Sequence, residues 1–335
     1  MMKLTVRHID PQSLAVLSSE YRVPGITCSF IRGGRAAESL AYGVKDTKSG
    51  EAMTPDTLFE AASLTKTLFA TLVLRLVDRG VCTLDEPIAA RARDIGITEE
   101  ERIGEVTVRH ILSHGSGLPN WADKPLAFLF DPGKGFRYSG EGYFYLQKIV
   151  EQLTGKRFTD HLRDEFFVPL DMKHSAAVWD PSVGRRMTHK FDEKGVMAPL
   201  RDGVDLSGNA PEPNAAWSLY SCAGDYTKFL LEILNHRGHL PEELFREMVR
   251  PQNRADPGIS WGLGFGIPAK DPSVIWHWGD NGGYRSFGMI DLTTGDGGCV
   301  FCNGAGGTGL CLELLSDITD GTFWADIGAF LETAE

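Results

Sequence analysis

Strand-like segments stand at the two ends of this 335-residue chain, and helical spacing dominates the long stretch between them. Segments rich in apolar and β-branched residues, bounded by glycine-containing turns, cover residues 25–31, 38–44, 274–278, 284–292 and 299–303. The turns at 32–35 and 293–298 are too short to join parallel neighbours, which need a crossover of about a dozen residues. The pattern predicts an α+β fold. An antiparallel sheet forms from both chain ends and is flanked by helices, with an inserted, mainly helical domain.

The same pattern predicts a discontinuous arrangement of domains. We expect residues 1–78 and 256–335 to form the sheet domain. Residues 79–255, in which helical stretches alternate with loops, form the inserted domain in this prediction. The cleft between the two domains is then the expected place for an active site.

Composition and charge exclude several classes of function. Apolar residues make up 42% and charged residues 24% of the chain, which are ordinary values for a globular protein. The net charge is −11 and no run of lysine and arginine stands out, so we expect neither nucleic-acid binding nor membrane binding. The N-terminal segment has no signal-peptide pattern, and the most apolar run, 68–74, is too short to span a bilayer. A cytoplasmic location is therefore expected; the sequence does not specify an oligomeric state.

Three short patterns resemble metal or cofactor motifs, and each is incomplete. Cys299 and Cys302 form a CxxC in a strand-like segment, where the two thiols would face opposite sides of the sheet. His110 and His114 have the spacing of a zinc-binding helix, but glycines break the helix at the second histidine. Residues 304–309 fit GxGxxG, but no strand follows to complete a dinucleotide-binding unit. We therefore expect no metal ion and no organic cofactor.

A serine and a lysine three residues apart open the long apolar helix expected at 63–77, which reads Ser63-Leu-Thr-Lys66. This spacing places the two side chains on the same helix face, one turn apart. A serine hydroxyl is a weak nucleophile until a base removes its proton, and a lysine can act as that base only where burial or a neighbouring cation keeps it neutral. Alone the motif is weak evidence, because an N-cap serine followed by a lysine that reaches solvent has the same spacing.

Two further clusters follow in the sequence. One, at a loop-to-helix junction, reads Phe136-Arg-Tyr138-Ser139-Gly-Glu-Gly142-Tyr143, and the other, at the end of a strand, reads His277-Trp278-Gly279-Asp280-Asn281-Gly282-Gly283. With these three boxes in order, the sequence resembles the serine β-lactamase and penicillin-binding-protein superfamily, specifically its class C β-lactamase-like branch. That branch also holds family VIII carboxylesterases, D-aminopeptidases and D-Ala-D-Ala carboxypeptidases. The resemblance extends over nearly the whole chain, with further matching stretches at 54–60, 108–119, 167–174 and 261–266.

The resemblance implies roles for the first two boxes. Ser63 matches the acylated nucleophile and Lys66 its partner, while Tyr138 matches a tyrosine that shares the proton with the lysine and returns it to the leaving group. Beside an ammonium we expect the pKa of a phenol to fall and that of the lysine to shift in turn, so that the two groups titrate as a pair. Such a pair can accept one proton and deliver it again, as general acid–base catalysis requires.

The third box supplies the rest of the expected site. His277 stands where β-lactamases have the lysine of a Lys-Thr-Gly box, followed by Gly279; a His-x-Gly box is common in the esterases and D-aminopeptidases. The resemblance implies an oxyanion hole made by the backbone N–H groups of Ser63 and Asp280. Each donor of such a hole is typically worth about 3 kcal/mol of barrier.

Two departures from the β-lactamase pattern bear on the substrate. Gly140 stands two residues after Tyr138, where that branch has an asparagine whose amide helps hold the substrate's amide side chain. With His277 in place of lysine, anchoring of a substrate carboxylate becomes weaker and pH-dependent, because histidine is largely neutral at pH 7. Both departures, together with the missing leader, argue against an efficient β-lactamase.

The sequence therefore predicts a serine hydrolase that cleaves small acyl esters through an acyl-enzyme. Its partner is a small-molecule ester or amide, and Trp121, Trp217 and Trp278 are candidates for an acyl pocket, although a tryptophan is more often a core residue. The alternatives are a D-amino-acid peptidase or amidase, a weak β-lactamase, an acyltransferase, and a catalytically silent binding domain. Retention of the serine, the lysine and the tyrosine of the first two boxes counts against the last of these.

Overall fold

The computed structural model describes residues 9–92, 95–200, 212–319 and 321–333. Within these ranges the strands are β1 (Gly25–Arg32), β2 (Arg35–Asp46), β3 (Glu51–Ala52), β4 (Phe59–Ala62), β5 (Leu219–Ser221), β6 (Asn253–Arg254), β7 (Ile259–Trp261), β8 (Gly266–Pro268), β9 (Val274–Asp280), β10 (Arg285–Asp291) and β11 (Gly297–Cys302). The helices are α1 (Pro11–Glu20), α2 (Thr65–Asp78), α3 (Val108–Leu112), α4 (Gly140–Thr154), α5 (Phe158–Leu162), α6 (Pro181–Gly184), α7 (Ala223–His236), α8 (Glu242–Val249), α9 (Gly307–Ser316) and α10 (Trp324–Thr333).

The two ends of the chain meet at the centre of a large antiparallel sheet. The strand order is β3-β2-β1-β11-β10-β9-β8-β7-β6, and β1 pairs directly with β11, with Ile26 opposite Cys302. A separate two-stranded ribbon joins β4 to β5. The predicted fold class, an antiparallel sheet built from both ends and flanked by helices, is confirmed.

Each face of the sheet is covered by its own layer of helices. One face packs against α1, α9 and α10, which contribute Leu14, Leu310 and Phe330 to a shared apolar cluster. The opposite face packs against α7 and β4, and the buried helix α2 contributes to the same apolar cluster. Strand β11 alternates between the two clusters, so that Cys299 and Cys302 face opposite sides as predicted, and both thiols are free and buried.

The predicted division into two domains stays a prediction, and two contacts bear on where its boundaries would fall. Helix α7, which lies within 79–255, packs against β1 and β11 of the sheet. The boundary after residue 255 falls between β6 and β7, which are hydrogen-bonded neighbours in that sheet. The ends of the predicted sheet domain, 1–8 and 334–335, lie outside the described residues.

The glycine-rich segment before α9 is a structural turn. A Cβ atom at Gly306 would lie 2.2 Å from the carbonyl oxygen of Tyr21, and one at Gly309 would lie 2.6 Å from the ring of the same tyrosine. These glycines therefore let the start of α9 pack closely against Tyr21, at the end of α1. Within the described ranges no helix combines the length and apolarity needed to cross a membrane, and no set of three His, Cys, Asp or Glu side chains is arranged to hold a metal ion.

Asn303 ties the two chain ends together at the end of β11. Its buried side chain accepts a hydrogen bond from the N–H of Gly25 at 2.6 Å and donates to the carbonyl of Val44 at 3.1 Å and the hydroxyl of Thr188 at 2.8 Å. We expect Asn303→Ala to lower the free energy of unfolding by about 2–4 kcal/mol, because it leaves several buried polar groups without partners. Urea denaturation followed by circular dichroism measures the change.

Asn235→Ala is the matched control for that measurement. Asn235 is exposed and its side chain donates one hydrogen bond, to the carbonyl of Gly34. We expect its loss to cost no more than about 0.5 kcal/mol. Equal effects of the two substitutions would contradict a joining role for Asn303.

Candidate active site

Ser63 lies at the junction between a strand and a helix. Strand β4 ends at Ala62, whose φ of +49° puts it in the left-handed region that residues with a side chain rarely adopt, and α2 begins at Thr65. The hydroxyl of Thr65 donates to the carbonyl of Ala62 at 2.6 Å and holds this sharp turn. Ser63 therefore precedes the helix instead of lying in its first turn. Its carbonyl accepts from the N–H of Lys66 at 3.0 Å, and among the described residues its own N–H donates to no group.

Lys66 points from the first turn of α2 back to Ser63. Its Nζ lies 3.1 Å from Oγ of Ser63 and donates to the carbonyl of Ala216 at 2.8 Å. That carbonyl is held in place because the N–H of Ala216 donates to the side chain of Asn214 at 2.8 Å. The lysine is 1% exposed, and burial alone holds the pKa of its amine well below the usual value.

A second buried cation on the same helix differs from Lys66 in its partners. Arg75, two turns further on, is also buried, but it forms ion pairs with Glu165 and Glu232. Lys66 forms no ion pair with a carboxylate within the described part of the chain. A buried amine without a counter-ion is most stable in its neutral form, which can accept a proton from a serine hydroxyl.

Tyr138 lies just before α4 and presents its ring to the lysine. Nζ of Lys66 is 4.8 Å from the centre of the ring, and the phenol oxygen is buried without a hydrogen bond of normal geometry. Burial raises the pKa of this phenol, and the nearby Ser63 offsets the rise only in part. The expected fall in the pKa of Tyr138 is therefore wrong, because a neutral Lys66 supplies no positive charge to stabilise a phenolate.

His114 fixes the backbone on both sides of Tyr138. Its carbonyl accepts from the N–H of Arg137 at 2.9 Å, and its Nδ1 accepts from the N–H of Ser139 at 3.1 Å. The imidazole also packs against the Tyr138 ring in a tilted arrangement, with 4.3 Å between centroids. It is fully buried, and burial holds its pKa well below the ordinary value, so the ring is neutral with its proton on Nε2.

The structure places His277 behind the cavity wall. Its Nδ1–H donates to the carbonyl of Trp278 at 2.7 Å, so Nε2 carries a lone pair, and this atom is buried without a partner. Burial lowers the pKa of His277 to about 3. The expected pH-dependent anchoring of a carboxylate near neutral pH is therefore wrong, since this imidazole stays neutral there and offers an acceptor at Nε2.

Gly279 lets β9 approach β4, the strand that ends just before Ser63. A Cβ atom at this position would lie 2.5 Å from the carbonyl oxygen of Ala61 and 2.3 Å from the hydroxyl of Ser286. No larger residue fits between β9 and β4 without moving backbone. Gly279 does not line the cavity, so its contribution to the site is this close packing.

Asp280 ends β9 and lines the cavity beside Ser63. The N–H of the next residue, Asn281, donates to the carbonyl of Tyr284 at 3.1 Å. Because N–H directions alternate along an antiparallel strand, the N–H of Asp280 points away from β10. Strand β8 pairs with β9 only at Trp276, so this donor is open to a ligand, as the expected oxyanion hole requires.

A cavity of about 590 Å³ opens above these groups. Ser63 and Tyr138 contribute to its lining, as do the three tryptophans named from the sequence, Trp121, Trp217 and Trp278. Trp121 is 51% exposed at the mouth, whereas Trp278 is 7% exposed and packs on Tyr138 with 4.8 Å between ring centroids. The three tryptophans and Tyr138 therefore give the cavity an aromatic part of its wall, which suits an apolar acyl group.

Gly140 and Trp121 fit each other. A Cβ atom at Gly140 would lie 2.4 Å from the indole of Trp121, so the tryptophan occupies the space that a side chain at position 140 would enter. The N–H of Gly140 donates to the side chain of Asn120 at 2.8 Å, which fixes the turn beneath the indole. An aromatic surface thus stands where the β-lactamase pattern has an amide side chain.

Four polar residues that had no role in the prediction from sequence line the same cavity: Glu60, Asn120, Lys190 and Asn281. Glu60 falls in a stretch that carries the family resemblance, so its position was visible although its direction was not. Lys190 had no sequence signal. It reaches the site because the next residue, Phe191, exchanges backbone hydrogen bonds with the segment after β11.

Comparisons with known proteins agree with this geometry. The family model described as Beta-lactamase matches residues 8–313, so the chain belongs to the beta-lactamase family, a group of serine hydrolases. The chain is 27% identical to Penicillin-binding protein 4 of Amycolatopsis lactamdurans over 90% of this chain and 86% of that protein. It is 27% identical to Esterase EstB of Burkholderia gladioli over 73% and 75% of the two chains. The crystal structure of D-amino acid amidase from Ochrobactrum anthropi SV3 with L-phenylalanine amide superposes with a TM-score of 0.68 and 26% identity, covering 86% of this chain and 89% of that one.

The pH dependence of turnover tests which group titrates. The pKa of Lys66 is lowered, so kcat/KM should rise with pH along an acidic limb as this amine loses its proton, and the limb should lie well below pH 10.5. His277 is already neutral above about pH 3, so His277→Gln should leave the midpoint of the limb within about 0.5 pH unit of the wild type. Disappearance of the limb in this variant would assign the titration to His277 instead.

Substitution of His114 tests whether it positions Tyr138. We expect His114→Ala to lower kcat by about 10- to 100-fold with little change in KM, because the phenol is no longer held in place. His110→Ala is the matched control, since His110 lies on α3, four residues before His114, and its Nδ1 accepts from the N–H of Thr107 instead. Steady-state kinetics would be measured at a temperature where circular dichroism shows both variants folded. A normal kcat in folded His114→Ala would count against the positioning role.

Proposed function

We propose that this protein is a carboxylesterase that cleaves small acyl esters through an acyl-enzyme on Ser63. The observation that supports this most is the buried, unpaired Lys66 within 3.1 Å of the serine hydroxyl. An amine whose pKa is lowered by burial can take the proton of a neighbouring serine hydroxyl, as nucleophilic catalysis requires.

In the acylation step, Oγ of Ser63 attacks the ester carbonyl while Nζ of Lys66 takes the hydroxyl proton. The carbonyl oxygen becomes an oxyanion, which the N–H groups of Ser63 and Asp280 stabilise. Neither N–H is engaged in a way that would have to be broken first, so the donors are already oriented when charge develops.

Tyr138 supplies the proton that the leaving group needs. Its phenol stays protonated because its pKa is raised, so it can donate O–H to the departing alkoxide as the carbon–oxygen bond breaks. The Lys66 ammonium then returns its proton to the phenolate. Deacylation reverses the roles: water attacks the acyl carbon, its proton passes to the same pair of residues, and Ser63 regains its hydrogen.

The preference for esters rests on the cavity walls. Trp121 covers Gly140, so no amide side chain is available there to hold a peptide-like side chain of the substrate. Because His277 is buried and neutral, it offers no positive charge to a substrate carboxylate. An apolar acyl group that packs against the tryptophans needs neither an amide partner nor a positive charge.

The likeness to a D-amino acid amidase favours one alternative, hydrolysis of D-amino acid amides by the same residues. An amide has a poorer leaving group than an ester, so it depends more strongly on proton donation by Tyr138. A weak β-lactamase activity would use the same acyl-enzyme.

Substrate assays with Ser63→Ala separate these activities. We expect p-nitrophenyl acetate and butyrate to be turned over rapidly by the wild type, with at least a 1,000-fold loss in Ser63→Ala, on the order found for nucleophile removal. Nitrocefin and D-alanine p-nitroanilide should be near blank. Mass spectrometry after rapid acid quench should show an acyl adduct on the wild type only.

Ser49→Ala is the control, because Ser49 is exposed and remote from the cavity lining. Unchanged activity in Ser63→Ala would remove Ser63 as the nucleophile. Faster turnover of the anilide than of the esters would favour the amidase alternative.

A further inference from the structure

One buried carboxylate faces the catalytic cavity without a cation beside it. Glu60 is 3% exposed and contributes to the cavity lining, three residues before Ser63. Its Oε2 accepts a hydrogen bond from the side chain of Asn281 at 2.7 Å. Within the described ranges no Lys, Arg or His nitrogen lies within 4.0 Å of the Glu60 carboxylate, so its charge is not neutralised by an ion pair.

The other acidic residue of the cavity differs in this respect. The carboxylate of Asp280 pairs with the guanidinium of Arg285 and also accepts from the N–H of Gly282 at 2.7 Å. Its negative charge is therefore compensated within the protein. Of the two cavity carboxylates, Glu60 is the one that would gain from a positive group brought by a ligand.

Lys190 is the cation that shares the cavity with Glu60. Its Nζ donates to the backbone carbonyl of Asn281 at 3.0 Å, which holds it on the same residue but outside ion-pairing range of the carboxylate. It therefore weakens the negative field at Glu60 without cancelling it. Lys66, the remaining lysine of the lining, is buried and neutral by the argument above.

Burial of a carboxylate is unfavourable unless hydrogen bonds or a cation compensate it, and one hydrogen bond from Asn281 is weak compensation. We propose that Glu60 is a substrate-binding residue that recognises an ammonium group on the substrate. This inference rests on the proposed serine esterase function and narrows its substrates to amine-bearing esters. The ammonium can belong to the acyl group or to the alcohol, and the experiment separates the two.

Matched pairs of substrates measure the preference. In the acyl arm, p-nitrophenyl β-alaninate is compared with p-nitrophenyl butyrate, in which a methyl group replaces the ammonium. In the alcohol arm, 2-aminoethyl butyrate is compared with propyl butyrate by pH-stat. The ratio of kcat/KM for the charged substrate to that for the neutral one cancels general effects of a substitution on the catalytic groups.

We expect Glu60→Gln to lower this ratio by at least about tenfold in one arm, since a charge-assisted hydrogen bond is lost. Lys190→Gln should raise it by about two- to threefold in the same arm, because a competing positive charge is removed. Glu51→Gln, on an exposed glutamate that pairs with Lys45, is the control and should leave the ratio unchanged. An unchanged ratio in Glu60→Gln in both arms would overturn the inference.

A measurement on the wild type decides the matter if Glu60→Gln does not fold. n-Butylammonium should inhibit butyrate ester hydrolysis competitively at concentrations where n-butanol does not, and equal inhibition by the two would overturn the inference. Failure of the two proposals can be told apart. Absence of an acyl adduct on Ser63 would contradict the esterase proposal. Normal turnover of neutral esters, with a charged-to-neutral kcat/KM ratio that does not depend on Glu60, would contradict only the ammonium site.

Discussion

The site depends on a lysine that is buried without a counter-ion. Lys66 lies in α2 among residues that are almost all buried, and within the described part of the chain its amine hydrogen-bonds to the hydroxyl of Ser63 and the carbonyl of Ala216. In such surroundings the neutral amine is favoured, and a neutral amine is a base. The same burial that lowers the pKa of the lysine raises that of Tyr138, so one residue is ready to accept a proton and the other to donate one.

The fold supplies this environment by joining distant parts of the chain. Strand β4, which precedes Ser63, pairs with β5, and β5 follows the residue whose carbonyl holds Lys66. Strand β9 packs closely on β4 because Gly279 has no side chain. Pairing of β1 with β11 brings the third box into the same sheet as the N-terminal strands. No single segment could shield Lys66 from water. The site depends on the whole fold because the segments that surround it are far apart in the sequence.

Much of this could be predicted from the sequence. Period-2 segments at both ends and short glycine turns are local signals, so the antiparallel sheet followed from them. The first two boxes predicted Ser63, Lys66 and Tyr138 as candidates for one site. The direction of the Tyr138 pKa shift could not be predicted, because it depends on whether the lysine beside it is charged, and that depends on burial. The packing of Trp121 over Gly140 could not be predicted either, because it is a steric match between residues 19 positions apart and neither residue indicates it alone.

His114 shows a different limit. Its spacing from His110 suggested an incomplete metal site, and without a metal ion His114 had no predicted part in catalysis. Its contacts instead surround the residue expected to protonate the leaving group. A contact made through a backbone carbonyl and a ring face has no sequence signature.

The charge state of Lys66 is the central claim, and NMR can observe it directly. The protein would be labelled with lysine carrying ¹³C at Cε, and the Lys66 resonance assigned by its absence in Lys66→Arg. A titration that places the pKa of this amine well below those of the surface lysines, with the neutral form dominant near pH 8, is the predicted result. Titration of Lys66 together with the surface lysines near their usual value of about 10.4 would contradict the account.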